Sequence, residues 1–215
     1  MAEIIKIDDQ PIAATFFSEG KWLTDFITPD AIDVKKLYES LTANLTSIEQ
    51  KITDCWQWVA SKVRYVELVP GKLWIAGKSS VQDDLWNDPS VTARVRVGNC
   101  ANKSFLLTSL LRNTLPPEQV HCVLGNLYNG HAGGHSWVNV QLDGVDYIVE
   151  STREDLPVLV PAEVATRYEA VHLFNDQEVL AIKGRTQLEP FTKCYSTWLV
   201  DYLDWAYIEG RKNGS

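Results

Sequence analysis

His135-Ser136-Trp137-Val138-Asn139-Val140-Gln141-Leu142-Asp143-Gly144-Val145-Asp146-Tyr147-Ile148-Val149-Glu150-Ser151-Thr152 holds two alternating runs around Asp143-Gly144. An Asp-Gly pair between such runs is the strongest short-range hairpin signal, and it predicts paired strands over residues 135–142 and 145–152. With Asp143-Gly144 as a two-residue turn, Leu142 faces Val145. The facing pairs then run on so that Trp137 meets Glu150 and His135 meets Thr152. His135 and Glu150 share one face on a diagonal, where neighbours stand about 7–8 Å apart at Cα and long side chains can meet. The other face carries Val138, Val140, Leu142, Val145, Tyr147 and Val149, a surface for a core. Asp146 also shares the face of His135, but it pairs with Gln141, about 20 Å along the strand at ordinary rise. Asp143 is spent in the turn. A one-residue bulge would move Glu150 to the wrong face, so the pairing rests on the turn type.

Upstream, Gly98-Asn99-Cys100 opens a helix whose Phe105, Leu106, Leu107, Leu110, Leu111 and Leu115 form a broad apolar stripe, ended by Pro116-Pro117. Lys103, Ser109 and Arg112 break that stripe and predict a face that is not enclosed. Residues 30–62 read as helix, with Ile32, Leu37, Leu41, Leu45, Ile48 and Ile52 recurring at three- and four-residue steps. Residues 1–30, interrupted by Pro11, Gly20 and Pro29, read as strands or loops. Residues 63–96 read as a long irregular connection, of the kind that often carries function. A strand is expected over 121–128, a short helix after Pro161, a hairpin over 171–174 and 178–182, and a last helix over 192–207. Helices ahead of strands indicate an α+β fold rather than alternating βαβ units.

The chain has 215 residues, a net charge of −8, 45% apolar and 22% charged residues, and a pI near 5.0, the balance of a globular protein. One compact domain is expected, with residues 1–60 as a helical extension integrated with a core over 61–215. The acid excess argues against nucleic-acid binding led by phosphate neutralisation and against an anionic membrane surface. The N-terminus lacks a basic region followed by a sustained apolar run, so no secretory signal is expected. No stretch reaches the roughly 20 apolar residues of a membrane span. Cys55, Cys100, Cys122 and Cys194 are scattered without CxxC spacing and read as reduced thiols in the cytoplasm.

Cys100 stands in the first turn of its helix, where free N–H groups and the positive end of the dipole favour a thiolate, the nucleophilic form. Taken alone, a cysteine there is more often a small buried hydrophobe. A histidine at a strand start is commonly just hydrogen-bonded, and a carboxylate at a sheet end is commonly solvated or paired with arginine. Jointly, Cys100, His135 and Glu150 stand in the order a thiol nucleophile, its base and an orienting acid require. His131 and His135 have a metal-like spacing, but Gly133-Gly134 between them speaks against a helix, and no metal is expected. No motif calls for a cofactor.

Gly98-Asn99-Cys100 with its helix, His135-Ser136-Trp137-Val138, and Tyr147-Ile148-Val149-Glu150-Ser151-Thr152 resemble the transglutaminase-like cysteine hydrolase superfamily. The resemblance spans residues 60–155. It implies a papain-like core, a catalytic cysteine at a helix N-terminus packed on an antiparallel sheet, and acyl transfer through a thioester. By the same resemblance Cys100 is the nucleophile, His135 the general base and Glu150 the orienting acid. Glu150 stands where that superfamily usually has Asp. Residues 99–104 lack the acidic residues that some bacterial members carry beside the cysteine, so calcium is not suggested. For the oxyanion, the Cys100 N–H is one candidate donor; Trp86, Trp74, Gln82 and Tyr65 are candidates for a second, with Trp86 favoured and packing the alternative. The leading expectation is a cysteine peptidase or amidase acting on peptide or protein substrates. A transglutaminase or deamidase using the same acyl-enzyme and an inert binding module are the competing readings.

Overall fold

Asp143 and Gly144 adopt φ of 50° and 79°, the left-handed pair that a tight two-residue hairpin turn requires. The strands they join hold the expected register, with Val138 opposite Val149 and Leu142 opposite Val145. In the computed structural model the described residues are 3–8, 22–67, 71–75, 78–82, 86–129 and 131–185. For 71–75, 78–82, 129, 131 and 132 the description covers the backbone. The expected helix over 192–207, and Cys194 within it, lie outside these residues.

Strands β1 (Ile4–Ile7), β2 (Arg64–Tyr65), β3 (Gly71–Ile75), β4 (Lys78–Gln82) and β5 (Val97–Gly98) accompany helices α1 (Ile32–Thr42), α2 (Ile48–Lys62) and α3 (Pro89–Val95). Then follow α4 (Cys100–Leu111), β6 (Val120–Asn129), β7 (His131–Leu142), β8 (Val145–Val149), β9 (Val160–Pro161), β10 (Tyr168–Phe174) and β11 (Val179–Ile182). Seven strands form one antiparallel sheet in the order β1-β11-β10-β6-β7-β8-β9. The architecture is α+β, with α4 laid across β6 and β7 and flanked by the other helices.

The faces of β7 and β8 divide as the alternation dictates. Val138, Val140 and Val149 pack under α4 and α2, against Leu106, Leu110 and Ile52. On the opposite face Trp137 and Ile148 join Val123 and Leu173. Val145 is exposed, because the hairpin tip runs past the core. The large indole of Trp137 has room because position 125, on β6, has no side chain. A Cβ on Gly125 would stand 2.5 Å from the Trp137 ring and 2.3 Å from the Glu169 carbonyl oxygen. Gly125 also faces His135 in the register. Gly125→Ala is therefore expected to cost about 1–3 kcal/mol by overpacking, read as a lower midpoint in urea unfolding.

Four expectations change. Residues 30–62 are two helices, broken at 43–47, because Ser47 caps α2 by accepting from the Gln50 N–H at 3.4 Å. The stretch 63–96 is not irregular throughout: it carries β2, the β3–β4 hairpin and α3. Beyond Pro161 there is a turn, closed by the Val164 N–H on the Pro161 carbonyl, rather than a helix. Finally, α4 has no open face: residues 101–111 are all buried, Lys103 included. The Lys103 ammonium reaches the end of α2 and donates to the carbonyls of Ala60 at 3.0 Å and Val63 at 2.8 Å. Ser109 donates to the Phe105 carbonyl and accepts from the Thr28 N–H. A charged side chain that caps a neighbouring helix can sit in an interior, though burial lowers the Lys103 pKa to about 8.

Candidate active site

The N-terminus of α4 is capped by Asn99, whose side chain accepts from the Asn102 N–H at 3.1 Å. A second bond at 2.6 Å, from the Asn87 N–H to the Asn102 side chain, ties the segment before α3 to this turn. Cys100 is the first residue of the helix and is partly exposed, while Cys55 and Cys122 are buried. Burial pushes the thiols of Cys55 and Cys122 up to about 12, which keeps them protonated and inert. Cys100 is thus the one described cysteine that combines a helix N-terminus with access to solvent.

β7 carries His135 to the same place. Its imidazole donates through Nε2 to Glu150 Oε2 at 2.8 Å, and the Cys100 side chain lies near enough to raise its pKa. A carboxylate can only accept, so the proton is on Nε2 and Nδ1 is left to face the thiol. His135 is 9% exposed and Glu150 1%. Burial alone would discharge the His135 ring. Hydrogen bonds with Cys100 and Glu150, and the negative charges of both, outweigh it and hold the imidazolium well above the usual histidine range. Glu150 is also pressed toward its neutral form by burial, and its bonds to His135 and Thr152 more than reverse that, so its pKa is lowered.

Glu150 is held from all sides. Oε1 accepts from the Thr152 N–H at 2.9 Å and the Thr152 hydroxyl at 2.7 Å; Oε2 accepts from His135 and from the Tyr168 hydroxyl at 3.0 Å. Its backbone carbonyl takes the Trp56 indole N–H of α2 at 2.7 Å, and the Ser151 and Ser104 hydroxyls meet at 3.1 Å, joining the next residue to α4. One carboxylate with this many donors has a single orientation, and it passes that orientation to the imidazole. Burial and the Glu150 charge raise the Tyr168 pKa, so its hydroxyl stays a donor.

The hairpin diagonal thus places His135 and Glu150 in contact, and α4 brings Cys100 to them. Tyr168 was missed. It enters from β10, beside β6, and a ladder irregularity between Ala170 and His172 breaks the arithmetic that would have located it. Tyr168→Phe removes one donor from Glu150 and leaves Thr152 in place. About tenfold lower turnover is expected, with a displaced pH profile and little change in KM. Trp86, favoured for the second oxyanion donor, is 2% exposed and packs edge-on with Phe26 and Phe105 at ring-centroid distances of 5.5 and 5.0 Å. Its ring belongs to the core, and its Nε1 is buried with it. Tyr65 is 44% exposed; the side chains of Trp74 and Gln82 lie outside the described residues. His131 and His135 share an extended strand, not a helix turn. Among the described residues, no helix is long and apolar enough to cross a membrane.

No protein-family model matches the sequence, and no curated protein matches it. Solved structures do. The chain is similar to Legionella pneumophila LapG, at 16% identity and a TM-score of 0.52 over 70% of this chain and 77% of that one. The calcium-bound form of LapG aligns at 14% identity and a TM-score of 0.52, over 82% of this chain and 87% of that one. At such identity the likeness is one of fold. The α+β architecture, with a cysteine at the start of a central helix laid on an antiparallel sheet, is the transglutaminase-like, papain-like fold.

Proposed function

We propose that this chain is a cysteine peptidase or amidase that cleaves peptide or isopeptide amides through a thioester, with Cys100, His135 and Glu150 as its triad. The observation that carries the reading is the 2.8 Å His135–Glu150 bond beside a partly exposed cysteine at a helix start, whose side chain raises the pKa of that imidazole. The Cys100 sulfur attacks the amide carbonyl carbon, and the developing oxyanion is met by the Cys100 backbone N–H at the start of α4. His135 gives its Nδ1 proton to the leaving nitrogen as the C–N bond breaks. It then takes a proton from water as the water oxygen attacks the thioester, and keeps it as the C–S bond breaks and the sulfur leaves as thiolate, restoring the starting pair. Glu150 stays ionised throughout, fixing the tautomer and stabilising the imidazolium.

The test is alkylation of each cysteine by iodoacetamide across pH, read by peptide mass spectrometry, for the wild type and His135→Ala. At about pH 6–7, Cys100 is expected to react at least tenfold faster than Cys55 and Cys122, and the substitution should remove that advantage. Equal labelling of all three, or a Cys100 rate indifferent to His135, overturns the triad. A primary amine added to a turnover assay then separates the acceptors, since an amide product in place of acid marks transferase chemistry.

A further inference from the structure

α4 and α2 cover one face of the sheet. On the other face, four apolar side chains meet in direct pairings across successive strands. Trp137 of β7 stands opposite Val123 of β6, Val123 opposite Leu173 of β10, and Leu173 opposite Leu180 of β11. With Ile148 and Ile182 they floor a cavity of about 450 Å³. Its polar lining is gathered at the two ends. Glu118, His121, Asn139, Gln141 and Asp146 stand where β6 begins and the β7–β8 hairpin turns; Tyr168 and Arg185 stand at the opposite end. Most of these groups have partners already. His121 meets Glu178 at 3.3 Å, Asn139 and Gln141 donate to Asp146, Tyr168 donates to Glu150, and Arg185 donates to the Ala170 carbonyl. The middle of the cavity is hydrocarbon, so an occupant gains there by burying hydrocarbon.

We propose that residues 192–207 of this same chain dock on that face as an amphipathic helix, with one aromatic stripe seated in the cavity. Arg185 lines the cavity and is the last of the described residues, and 30 residues follow it. At helical periodicity Tyr195, Trp198, Leu199, Tyr202, Trp205 and Ala206 fall in one stripe, while Lys193, Thr197, Asp201 and Asp204 fall outside it. The lengths agree. From Tyr195 to Trp205 the stripe is about 15 Å long at helical rise. The row from Trp137 to Leu180 is four strands wide, about 14 Å at ordinary strand spacing. Residues 186–191 reach up to about 20 Å when extended, enough to turn back over β11. Two indoles and two phenol rings in one stripe would make an aggregating patch if left in water. The nearest apolar surface to the point where the segment departs is this floor.

Trypsin cleavage after Lys193 in the full chain, timed by mass spectrometry, reads the docking, because a protease cuts the undocked form. The wild type should be cut at least about tenfold more slowly than Trp198→Asp, which spoils the stripe. Leu180→Asp, which spoils the floor, should be cut as fast as Trp198→Asp, and the double variant no faster than either, since both break one contact. Val200→Asp, on the far side of the helix, should be cut as slowly as the wild type. Cleavage after Arg112, whose side chain is 8% exposed, marks loss of the fold and should stay absent in every variant. Trp198→Asp alters no described residue, so it carries the test even where Leu180→Asp fails that control. Wild type cut as fast as Trp198→Asp, Val200→Asp cut equally fast, or additive effects in the folded double variant each overturn the proposal. So does protection that disappears on dilution together with a dimer in sedimentation, which would seat the segment on a second copy instead.

Discussion

Cys100→Ala and His135→Ala should each lower kcat for amide cleavage by about 10⁴–10⁶-fold, and the double variant should be scarcely worse than either single one. On the proposed route the sulfur and its base act as one unit, so removing either would remove the whole covalent path. Cys100 is partly exposed and supports no core cluster, so Cys100→Ala should unfold within about 0.5 kcal/mol of the wild type. A loss of activity at unchanged stability separates chemistry from folding. The pH dependence follows from His135. Its raised pKa keeps the proton available to the leaving nitrogen through neutral pH, and the supply ends as pH rises through its folded value of about 10. The acylation rate is expected to hold into the mildly alkaline range and then fall, a course that single-turnover kinetics would follow.

Glu150→Gln is expected to cost about 10²–10⁴-fold in kcat, since a neutral amide can present the wrong group to Nε2 and no longer supports an imidazolium. It should also destabilise the fold by about 3–5 kcal/mol, the penalty for breaking a buried ion pair from one side. The sign of the pH effect is fixed by the two shifts. Glu150 has a lowered pKa, so its share of stability is present above the unfolded glutamate value and is lost as pH falls through the folded one. His135 has a raised pKa, so its share is complete below the unfolded histidine value and is lost as pH rises through about 10. The gap between wild type and Glu150→Gln should be widest from about pH 4.5 to 6.5 and narrow on both sides. Urea unfolding at a series of pH values measures it. A gap that is flat with pH would mean the pair is not ionic.

The hairpin was legible because its turn is local. Asp143-Gly144 fixes the loop length, the loop length fixes the register, and the register alone puts His135 beside Glu150. The start of α4 was legible for the same reason. Its surroundings were not. Lys103 looks like a solvent-facing residue until α2 is known to end beside it, and no local pattern carries that fact. Tyr168 depends on a pairing between distant strands and on an irregularity within it. The break between α1 and α2 had a signal, Ser47 with Gln50 three residues on, but a continuous apolar periodicity ran across it. Trp86 shows how little a residue type says alone: an indole can donate a hydrogen bond or fill space, and here Phe26 and Phe105 surround it.

The order of the strands bears on how the chain assembles. β6, β7 and β8 follow one another and pair as successive hairpins, so the sheet that carries His135 and leads into Glu150 closes through short loops. β1 instead waits for β11, pairing Lys6 with Leu180 across nearly the whole described chain. Contacts between near neighbours form early and those spanning long loops form late. The meander bearing His135 should therefore belong to the folding nucleus, and the β1 edge to the last zipped part. Mutations in the meander would slow folding, whereas those in β1 would mainly hasten unfolding.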